Sequence, residues 1–435
     1  MIERKMNLTS FTILELKIEL AKGKKSALKN FWLKLEKSGA PLIEPIKENK
    51  SHKLVTFIVQ ADKEIKNVVV VCSLANQDDV VSNNICERIE NTDIFYKSFV
   101  VLNGTRTIYT VSKNNSLKFS RFYDNLMHNW DTLAPDPYNP KRFTQRYRRE
   151  GQRFVVEYSV LEVPSVKPLK WIKQKKSVIP GSLISVDFYS NILNTKRQIW
   201  IYTPNNFDLN NKPSHLVIIF DGKAFIEFTQ APLILDNLQA ENKIPPIVAI
   251  FIQNYSGFSR GKDLLCYPQF ADFIGKELVP WAQENYNISS NPAHSVLVGS
   301  SSGGLAASFI GFRHPKTFRN ILSQSGYYLW YPGYPWFQHS LKYYGEDYVR
   351  WWSKKEEKEE EWLTRQYLQS EKLDLKFYLN VGHLETRAIK PIRNFQEMLQ
   401  EKGYTHFYEE YPGGHEYIAW RTYLPEGLIY LIGLQ

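Results

Sequence analysis

The chain has 435 residues, of which 43% are hydrophobic and 14% aromatic. This composition excludes an intrinsically disordered chain, and the length favours two domains over one. The net charge of +10 favours anionic partners or substrates, but the basic runs are short and no nucleic-acid-binding module is visible, so we expect no nucleic-acid partner.

The N-terminal residues and the cysteines indicate the compartment. No uninterrupted apolar stretch of the kind found in signal peptides follows Met1. Residues 11–20 carry charges among their apolar residues, which is typical of an amphipathic helix. The three cysteines form no C-x-x-C pair, and their odd number argues against a disulfide framework. No run approaches the roughly 20 apolar residues that a membrane span needs. We therefore expect a cytoplasmic protein without a membrane span.

Short β-type runs follow the first helix and a helical or loop segment at residues 28–50. Their spacing is typical of an antiparallel, immunoglobulin-like β-sandwich. Residues 130–140 contain too much proline for a regular element and are predicted to form an ordered loop. We expect this N-terminal domain to span residues 1–165. Its predicted strands lie at residues 54–60, 68–72, 98–102, 107–111 and 153–160.

From Gly181 the pattern changes to alternating strands and helices, after a basic, proline-bounded junction at residues 167–180. The strands are nearly continuous apolar runs, which indicates a mostly parallel sheet covered by helices on both faces. We expect this second domain to span residues 181–435. Its strands are predicted at residues 198–203, 215–220, 247–252, 295–298, 320–323 and 375–379, with a helix at 270–281.

A strand-to-helix turn in the second domain has the pattern of a nucleophile elbow. Residues 295–308 run from an apolar strand through a cluster of small residues into a helix-forming run, and residues 299–303 fit G-x-S-x-G. Of the three adjacent serines, only Ser301 has glycine both two residues before it and two residues after it. We expect both glycines to relieve collisions at a strained turn. The pattern predicts an α/β-hydrolase fold with Ser301 as the nucleophile.

A serine nucleophile needs a general base and an orienting acid, and in this fold the acid and then the histidine follow the serine in the chain. His415 follows a strand-like run and two glycines, in a loop that can return over the sheet edge. His383 is the rival base. The acid is expected after the penultimate strand, where Glu385 is the candidate. A solvated loop glutamate, and a Ser–His pair that works without an acid, are the alternatives.

The oxyanion hole requires two backbone amides. One follows the nucleophile, at Ser302, and the other comes from an early strand–loop junction. The strand that ends at Phe220 leads into such a junction, so we assign the second amide to Gly222 or Lys223. A plain turn is the alternative interpretation of the Asp-Gly pair at this place.

Taken together, these segments resemble the enterochelin (enterobactin) esterase family of α/β-hydrolases. The resemblance spans nearly the whole chain, and its most specific parts are Asp-Pro-x-Asn-Pro at 136–140 and Gly-Gly-His with a downstream Trp-Arg at 413–421. It implies hydrolysis of the trilactone esters of a ferric catecholate siderophore such as enterobactin, with release of iron in the cytoplasm. It also implies that Ser301 and His415 are nucleophile and base. Other matching pieces lie at residues 198–204, 220–222, 259–264, 299–304 and 323–326.

Two departures from the family pattern bear on the substrate. Where the family commonly has a bulky aromatic residue after the nucleophile, this chain has Ser302. The acid of the family's Arg-x-x-Glu-Leu sequence is the shorter Asp263 here. Both differences concern the choice of siderophore rather than the chemistry.

Cationic and aromatic residues suit such a substrate, because ferric catecholates are anionic, bulky and flat-ringed. Arginine binds anionic oxygens and stacks on aromatic planes, so we assign Arg260 and Arg421, with Trp420, to substrate binding. Ordinary surface or ion-paired arginines are the alternative. No metal-ligand spacing is visible. We therefore expect no cofactor, with iron arriving only as part of the substrate.

Two other functions are compatible with these residues. One is a carbohydrate or feruloyl esterase with a β-sandwich binding module, which would require export. The other is a non-catalytic siderophore-binding protein, against which the intact Ser301, His415 and candidate acid argue.

Overall fold

The computed structural model describes residues 9–74, 80–149, 152–210, 212–254, 258–333 and 359–434. The chain divides into two compact units. The first comprises Met1–Lys167 together with Pro412–Ile418, and the second comprises Pro168–Tyr411 together with Ala419–Gln435. A short segment near the C-terminus therefore groups with the N-terminal unit, although it lies far from that unit in sequence.

Antiparallel strands form two sheets in the first unit. They are β1 (Leu42–Ile46), β2 (Asn49–Gln60), β3 (Val68–Cys72), β4 (Glu87–Arg88), β5 (Ile94–Leu102), β6 (Arg106–Lys113), β7 (Leu133–Ala134), β8 (Arg142–Arg149) and β9 (Gln152–Glu162). One sheet has the order β1-β2-β5-β4 and the other β3-β6-β9-β8, with β7 paired to β6. Phe57 of the first sheet and Val70 and Tyr109 of the second belong to one buried core. The shared core confirms the predicted β-sandwich.

Two helices of the first unit, α1 (Phe11–Ala21) and α2 (Ala27–Ser38), pack on the other face of the first sheet. Two shorter helices, α3 (Val80–Asn84) and α4 (Phe122–His128), contact β3 of the second sheet. The side chain of Ser10 caps α1 by accepting a hydrogen bond from the Ile13 amide at 3.2 Å, a contact that stabilises a helix by about 1 kcal/mol. Ile13 and Phe31 share a core with Ile58, because neighbouring residues of β2 point to opposite faces. The helix predicted at residues 11–20 is confirmed.

The proline-rich stretch at residues 130–140 is an ordered loop, as predicted, but it is not wholly irregular. It contains a 3₁₀ turn at Trp130–Thr132 and the short strand β7. The Tyr109 hydroxyl donates a hydrogen bond to the buried Asp136 carboxylate at 2.8 Å, and the Asn139 amide donates to the same hydroxyl at 3.0 Å. These bonds anchor the loop to β6.

An eight-stranded sheet forms the centre of the second unit. Its strands are β10 (Ser182–Ser190), β11 (Thr195–Thr203), β12 (His215–Ile219), β13 (Ile247–Ile252), β14 (Ser295–Ser300), β15 (Asn320–Gln324), β16 (Lys376–Gly382) and β17 (Thr405–Tyr411), in the order β10-β11-β13-β12-β14-β15-β16-β17. The pairs β10–β11 and β11–β13 are antiparallel and the others are parallel. The mostly parallel sheet is confirmed. We did not predict β10, an edge strand whose side chains are mostly exposed.

Helices cover both faces of this sheet, since β13 and β14 are buried at every position. They are α5 (Gly222–Ala224), α6 (Ala231–Ala240), α7 (Phe258–Leu264), α8 (Pro268–Asp272), α9 (Val279–Asn285), α10 (Ser302–Arg313), α11 (Trp362–Gln369), α12 (Thr386–Glu401) and α13 (Tyr417–Ile432). The helix predicted at residues 270–281 is divided, because a π-helical turn at Phe273–Leu278 separates α8 from α9. A second π-helical turn, Phe225–Thr229, follows α5.

The parallel strands end at one edge of the sheet, and several predicted site residues follow them directly. Gly222 comes soon after β12, Ser301 directly after β14, and Glu385 soon after β16. In α/β sheets the carboxyl ends of the strands are where ligands bind. The topology therefore brings these residues to the functional edge.

Candidate active site

Ser301 lies in the turn between β14 and α10. Its backbone has φ 56° and ψ −123°, a combination that residues other than glycine rarely adopt. The Ser301 amide donates a hydrogen bond to the Gln324 carbonyl at 2.9 Å. Its carbonyl accepts hydrogen bonds from the amides of Gly304 and Leu305 at 3.0 and 3.1 Å. Neighbouring backbone thus holds the serine in the strained turn that the sequence pattern predicts.

The three adjacent serines differ in exposure. Ser300 is 2% exposed and Ser302 is 7% exposed, whereas Ser301 is half-buried. The Ser300 hydroxyl is buried and has no hydrogen-bond partner in the described part of the chain. Of the three, Ser301 alone has a positive φ. This arrangement supports Ser301 as the nucleophile.

The glycines of the turn do not contribute equally. A Cβ on Gly299 would lie 2.2 Å from the Gly303 carbonyl carbon, and a Cβ on Gly304 would lie 2.5 Å from Ser323 Oγ. A Cβ on Gly303 would lie 3.5 Å from Phe220 Cβ, which is an ordinary contact. The expectation that both flanking glycines relieve collisions is therefore wrong for Gly303. Gly299 and Gly304 are the positions that need glycine.

Two helix starts lie close together at this edge. β12 and β14 are paired in parallel and lead into α5, which begins at Gly222, and α10, which begins at Ser302. A Cβ on Gly303 would lie 3.6 Å from Asp221 Oδ2, so the two turns are neighbours. The first amides of a helix have no acceptor within that helix. The amides of Ser302, Gly222 and Lys223 are therefore suited to an oxyanion hole.

A chain of buried polar contacts holds the turn before Gly222. Asp221 has φ 54°, and its amide donates a hydrogen bond to Asn254 Oδ1 at 3.0 Å. The Asn254 side chain donates to the Asp263 carboxylate at 3.0 Å, and Arg197 donates to the same carboxylate at 2.6 and 2.9 Å. Burial raises the pKa of Asp263, although Arg197 and Asn254 act in the opposite direction. We did not predict this support. The sequence feature that could have pointed to this support was the resemblance of residues 259–264, which include Asp263, to the family pattern.

Arg260 binds Asp221. Its Nε and Nη2 each donate a hydrogen bond to one Asp221 carboxylate oxygen, both at 2.7 Å. The Asp221 side chain is 8% exposed and the Arg260 side chain 30% exposed. The ion pair was one of the two alternatives for this arginine. Arg260 therefore supports the Asp221 turn, and contact with a substrate is left to its exposed part.

Glu385 is buried, with 2% exposure, directly before α12. Its Oε1 accepts hydrogen bonds from the Gly382 amide and the Ser325 hydroxyl, both at 2.7 Å, and from the Tyr411 hydroxyl at 3.3 Å. The alternative of a solvated loop glutamate is therefore wrong. Donors at the ends of β15, β16 and β17 fix this carboxylate at the functional edge. A carboxylate held in this way suits the orienting acid of a catalytic triad.

Trp420 lies beside the same cluster and is 4% exposed. Its indole N–H donates a hydrogen bond to Ser325 Oγ at 3.0 Å, and its carbonyl accepts one from the Gln324 side chain at 3.0 Å. This placement indicates a packing role for Trp420 rather than the substrate contact that we predicted. The next residue, Arg421, is half-buried in the first turns of α13.

His383, the rival base, lies directly after β16. Its amide donates a hydrogen bond to the Tyr411 carbonyl at 2.9 Å, and its imidazole is 41% exposed, 3.9 Å from Glu410. Arg393 donates two hydrogen bonds to that carboxylate at 2.5 and 2.7 Å. An exposed imidazole beside a surface ion pair is a weak candidate for a catalytic base.

His415 lies four residues after the end of β17, in the segment Pro412–Ile418. It is half-buried, between the buried residues Gly414 and Glu416. The Glu416 amide donates a hydrogen bond to the Gly414 carbonyl at 3.0 Å, so His415 occupies the centre of a tight turn. A constrained, half-buried imidazole favours His415 over His383 as the base.

Neither a membrane span nor a metal cluster occurs among the described residues. No helix there is long and apolar enough to cross a bilayer, and no three His, Cys, Asp or Glu side chains form a group that could hold a metal ion. The cysteines are free thiols in the interior. Burial raises the pKa of Cys72 to about 12.

The family model and the three relatives compared below are all described as esterases. The family model described as putative esterase matches residues 190–431. An iron(III) enterobactin esterase of Dickeya dadantii is 23% identical over 426 residues, covering 92% of this chain and 92% of its own. An iron(III) salmochelin esterase of Escherichia coli O6:H1 is 23% identical over 443 residues, covering 97% of this chain and 98% of its own. The crystal structure of ferric enterobactin esterase from Salmonella typhimurium has a TM-score of 0.71 at 21% identity, covering 93% of this chain and 98% of that chain, and supports the same fold.

Proposed function

This chain belongs to the family of putative esterases and is a carboxylic ester hydrolase, and we propose that it cleaves the trilactone esters of a ferric catecholate siderophore such as enterobactin. The observation that carries the proposal is the strained, half-buried Ser301 directly before α10, whose first turn neighbours the turn that leads into α5. The relatives named for enterobactin and salmochelin align over 92% and 97% of the chain. Because those alignments include the β-sandwich, they support a shared substrate class and not only a shared hydrolase fold.

The reaction begins when the Ser301 hydroxyl attacks an ester carbonyl carbon. His415 accepts the hydroxyl proton as the carbon–oxygen bond forms, and the carbonyl oxygen becomes an oxyanion. The Ser302 amide and the Gly222 or Lys223 amide stabilise this charge, since donors that are already in place need no reorganisation during the reaction. When the intermediate collapses, the ester C–O bond breaks and His415 returns the proton to the leaving alkoxide. Water then releases the acyl group from Ser301 by the same steps.

The strand order supports these roles for His415 and Glu385. β17 lies beside β16, which lies beside β15 and then β14, and all four run in parallel. The chain therefore leaves β17 for the His415 turn from the edge at which Ser301 stands. Glu385 follows β16 and is the proposed acid that orients His415. The required order of serine, acid and histidine is preserved.

The substrate proposal also uses charge. Ferric catecholates are anionic, and the chain carries a net charge of +10. We assign the exposed part of Arg260 and the side chain of Arg421 to contacts with the catecholate oxygens. Iron enters as cargo of the substrate and is not part of the catalytic machinery. The reaction is proposed to take place in the cytoplasm, where ester cleavage would release the metal.

Incubation with a panel of substrates tests this function. The panel contains ferric enterobactin, iron-free enterobactin, ferric salmochelin and a feruloyl polysaccharide, with products followed by mass spectrometry. We expect each hydrolysed siderophore ester to add the mass of one water, and we expect Ser301→Ala to form no product. Cleavage of the feruloyl ester alone would favour the carbohydrate esterase instead. Tight siderophore binding without any product from the unmodified protein would favour the binding protein.

A further inference from the structure

One side of strand β6 of the sandwich has two different neighbours along its length. β9 pairs with β6 from Arg106 to Tyr109, and among the described residues β3 pairs with its other side from Tyr109 to Lys113. The backbone from Arg106 to Ile108 is therefore beyond the end of β3. Backbone amides in a buried strand need acceptors, so another group must serve this stretch.

The segment that contains His415 supplies those acceptors. The Arg106 amide donates a hydrogen bond to the Pro412 carbonyl at 3.2 Å, and Arg106 and Gly413 form a parallel bridge. Two residues further along β6, the Ile108 amide donates to Glu416 Oε2 at 3.0 Å. The Glu416 carboxylate thus occupies the place where a neighbouring strand would offer a carbonyl oxygen.

Glu416 is a buried carboxylate with several donors. It is 5% exposed, and its Oε1 accepts hydrogen bonds from the Thr107 hydroxyl at 2.7 Å and the Ser73 hydroxyl at 3.3 Å. Thr107 is itself fully buried. Hydrogen bonds to an ionised acceptor are shorter and stronger than neutral ones. These hydrogen bonds therefore hold the Glu416 side chain in one position against the sandwich.

These contacts hold both ends of the turn that carries His415. Pro412 is bound three residues before the histidine, and Glu416 directly after it. We propose that Glu416 is a positioning residue that fixes the His415 imidazole for catalysis through its bonds to β6. This inference rests on the proposed role of His415 as the base.

Positioning predicts a loss in kcat rather than in KM. A displacement of a catalytic group by about 1 Å can lower the rate by roughly 100-fold without changing how the substrate binds. A small ester, p-nitrophenyl butyrate, is the suitable probe, because a siderophore could also lose affinity through other contacts with the sandwich. If Glu416 only stabilised the fold, kcat per folded molecule would be unchanged.

The decisive variants keep the shape of the side chain and change the hydrogen bonds. Glu416→Gln removes the charge, and its NH₂ group replaces an acceptor that faces either the Ile108 amide or the Thr107 and Ser73 hydroxyls. We expect kcat to fall about 10–100-fold with KM within about twofold. Thr107→Val removes one donor at constant shape and should lower kcat about 3–10-fold, whereas Thr107→Ser keeps the hydroxyl and should restore it. Thr56→Val is the matched control, because it removes a buried sandwich hydroxyl that is hydrogen-bonded to Ser98 at 2.8 Å and is unconnected to Glu416.

Folding and function are measured separately in the full chain. Circular dichroism and melting temperature show whether each variant is folded. Fluorophosphonate labelling gives the rate at which Ser301 reacts with the probe, which depends on its activation by the base. Slow labelling and low kcat in folded Glu416→Gln, with Thr56→Val unchanged, are the expected results. Normal kcat in folded Glu416→Gln and Thr107→Val, beside an inactive His415→Ala, would overturn the inference and leave the proposed function intact. An active His415→Ala would instead refute the proposed role of the base.

Discussion

Replacing Gly299 with alanine tests whether backbone packing creates the Ser301 turn. The new Cβ would lie 2.2 Å from both the carbonyl carbon and the carbonyl oxygen of Gly303, whereas ordinary contact begins near 3.4 Å. The turn between β14 and α10 must therefore open by about 1 Å, and overpacking of this kind costs about 3 kcal/mol of unfolding free energy. For a unit of this size that cost corresponds to a melting temperature lower by roughly 6–12 °C.

Gly303→Ala is the matched control for the same turn. Its Cβ meets Phe220 at 3.5 Å and Asp221 at 3.6 Å, and alanine is the better helix former by about 1 kcal/mol. We expect its melting temperature to stay within about 4 °C of the unmodified protein. Calorimetry compares the two variants, and kcat/KM on p-nitrophenyl butyrate should fall at least about 100-fold in Gly299→Ala. Equal melting temperatures in the two variants would refute the reasoning.

Three further predictions concern buried ionisable groups. Asp263→Ala leaves the buried Arg197 guanidinium without its carboxylate and should lower the unfolding free energy by about 3 kcal/mol. Arg393→Ala breaks an exposed ion pair and should change the unfolding free energy by less than about 1 kcal/mol. Urea titrations compare the two variants. Burial and a neighbouring histidine lower the pKa of His215 to about 4, so stability should fall as the pH drops from about 6.5 towards 4, by about 1–2 kcal/mol at pH 5. His215→Gln should lose this part of the pH dependence in the same titrations. Glu385→Gln should lower kcat by less than His415→Ala does, and an equal or larger loss in steady-state assays would show that the acid does more than orient the base.

Local patterns in the sequence were enough to predict the Ser301 turn and most of the strands. The apolar run before residue 299 and the small residues after it determine a strand, a turn and a helix within a few positions. We did not predict β10 because it is an edge strand that pairs with β11 and keeps most of its side chains exposed. Its sequence therefore contains no continuous apolar run. The expected collision relief at Gly303 failed because the side-chain space there depends on Phe220 and Asp221 of another strand end.

The support of the site depends on contacts between distant parts of the chain. Arg260 and Asp221 are 39 residues apart, and Thr107 and Glu416 are 309 residues apart. No periodicity relates such positions, so their pairing appears only when the strands are placed side by side. The same is true of Trp420, which is buried and donates a hydrogen bond to Ser325, 95 residues earlier in the chain.

Turnover of ferric enterobactin by the unmodified protein and by two serine variants is the most direct test of the central claim. Liquid chromatography with mass spectrometry would follow the opening of the trilactone, and fluorophosphonate labelling with peptide mapping would locate the reactive serine. We expect the unmodified protein and Ser300→Ala to form linear products and to carry the label on Ser301, and we expect folded Ser301→Ala to form neither product nor adduct. Turnover in Ser301→Ala at a rate close to that of the unmodified protein would contradict the proposed mechanism, and failure of the unmodified protein to open the trilactone would contradict the proposed substrate.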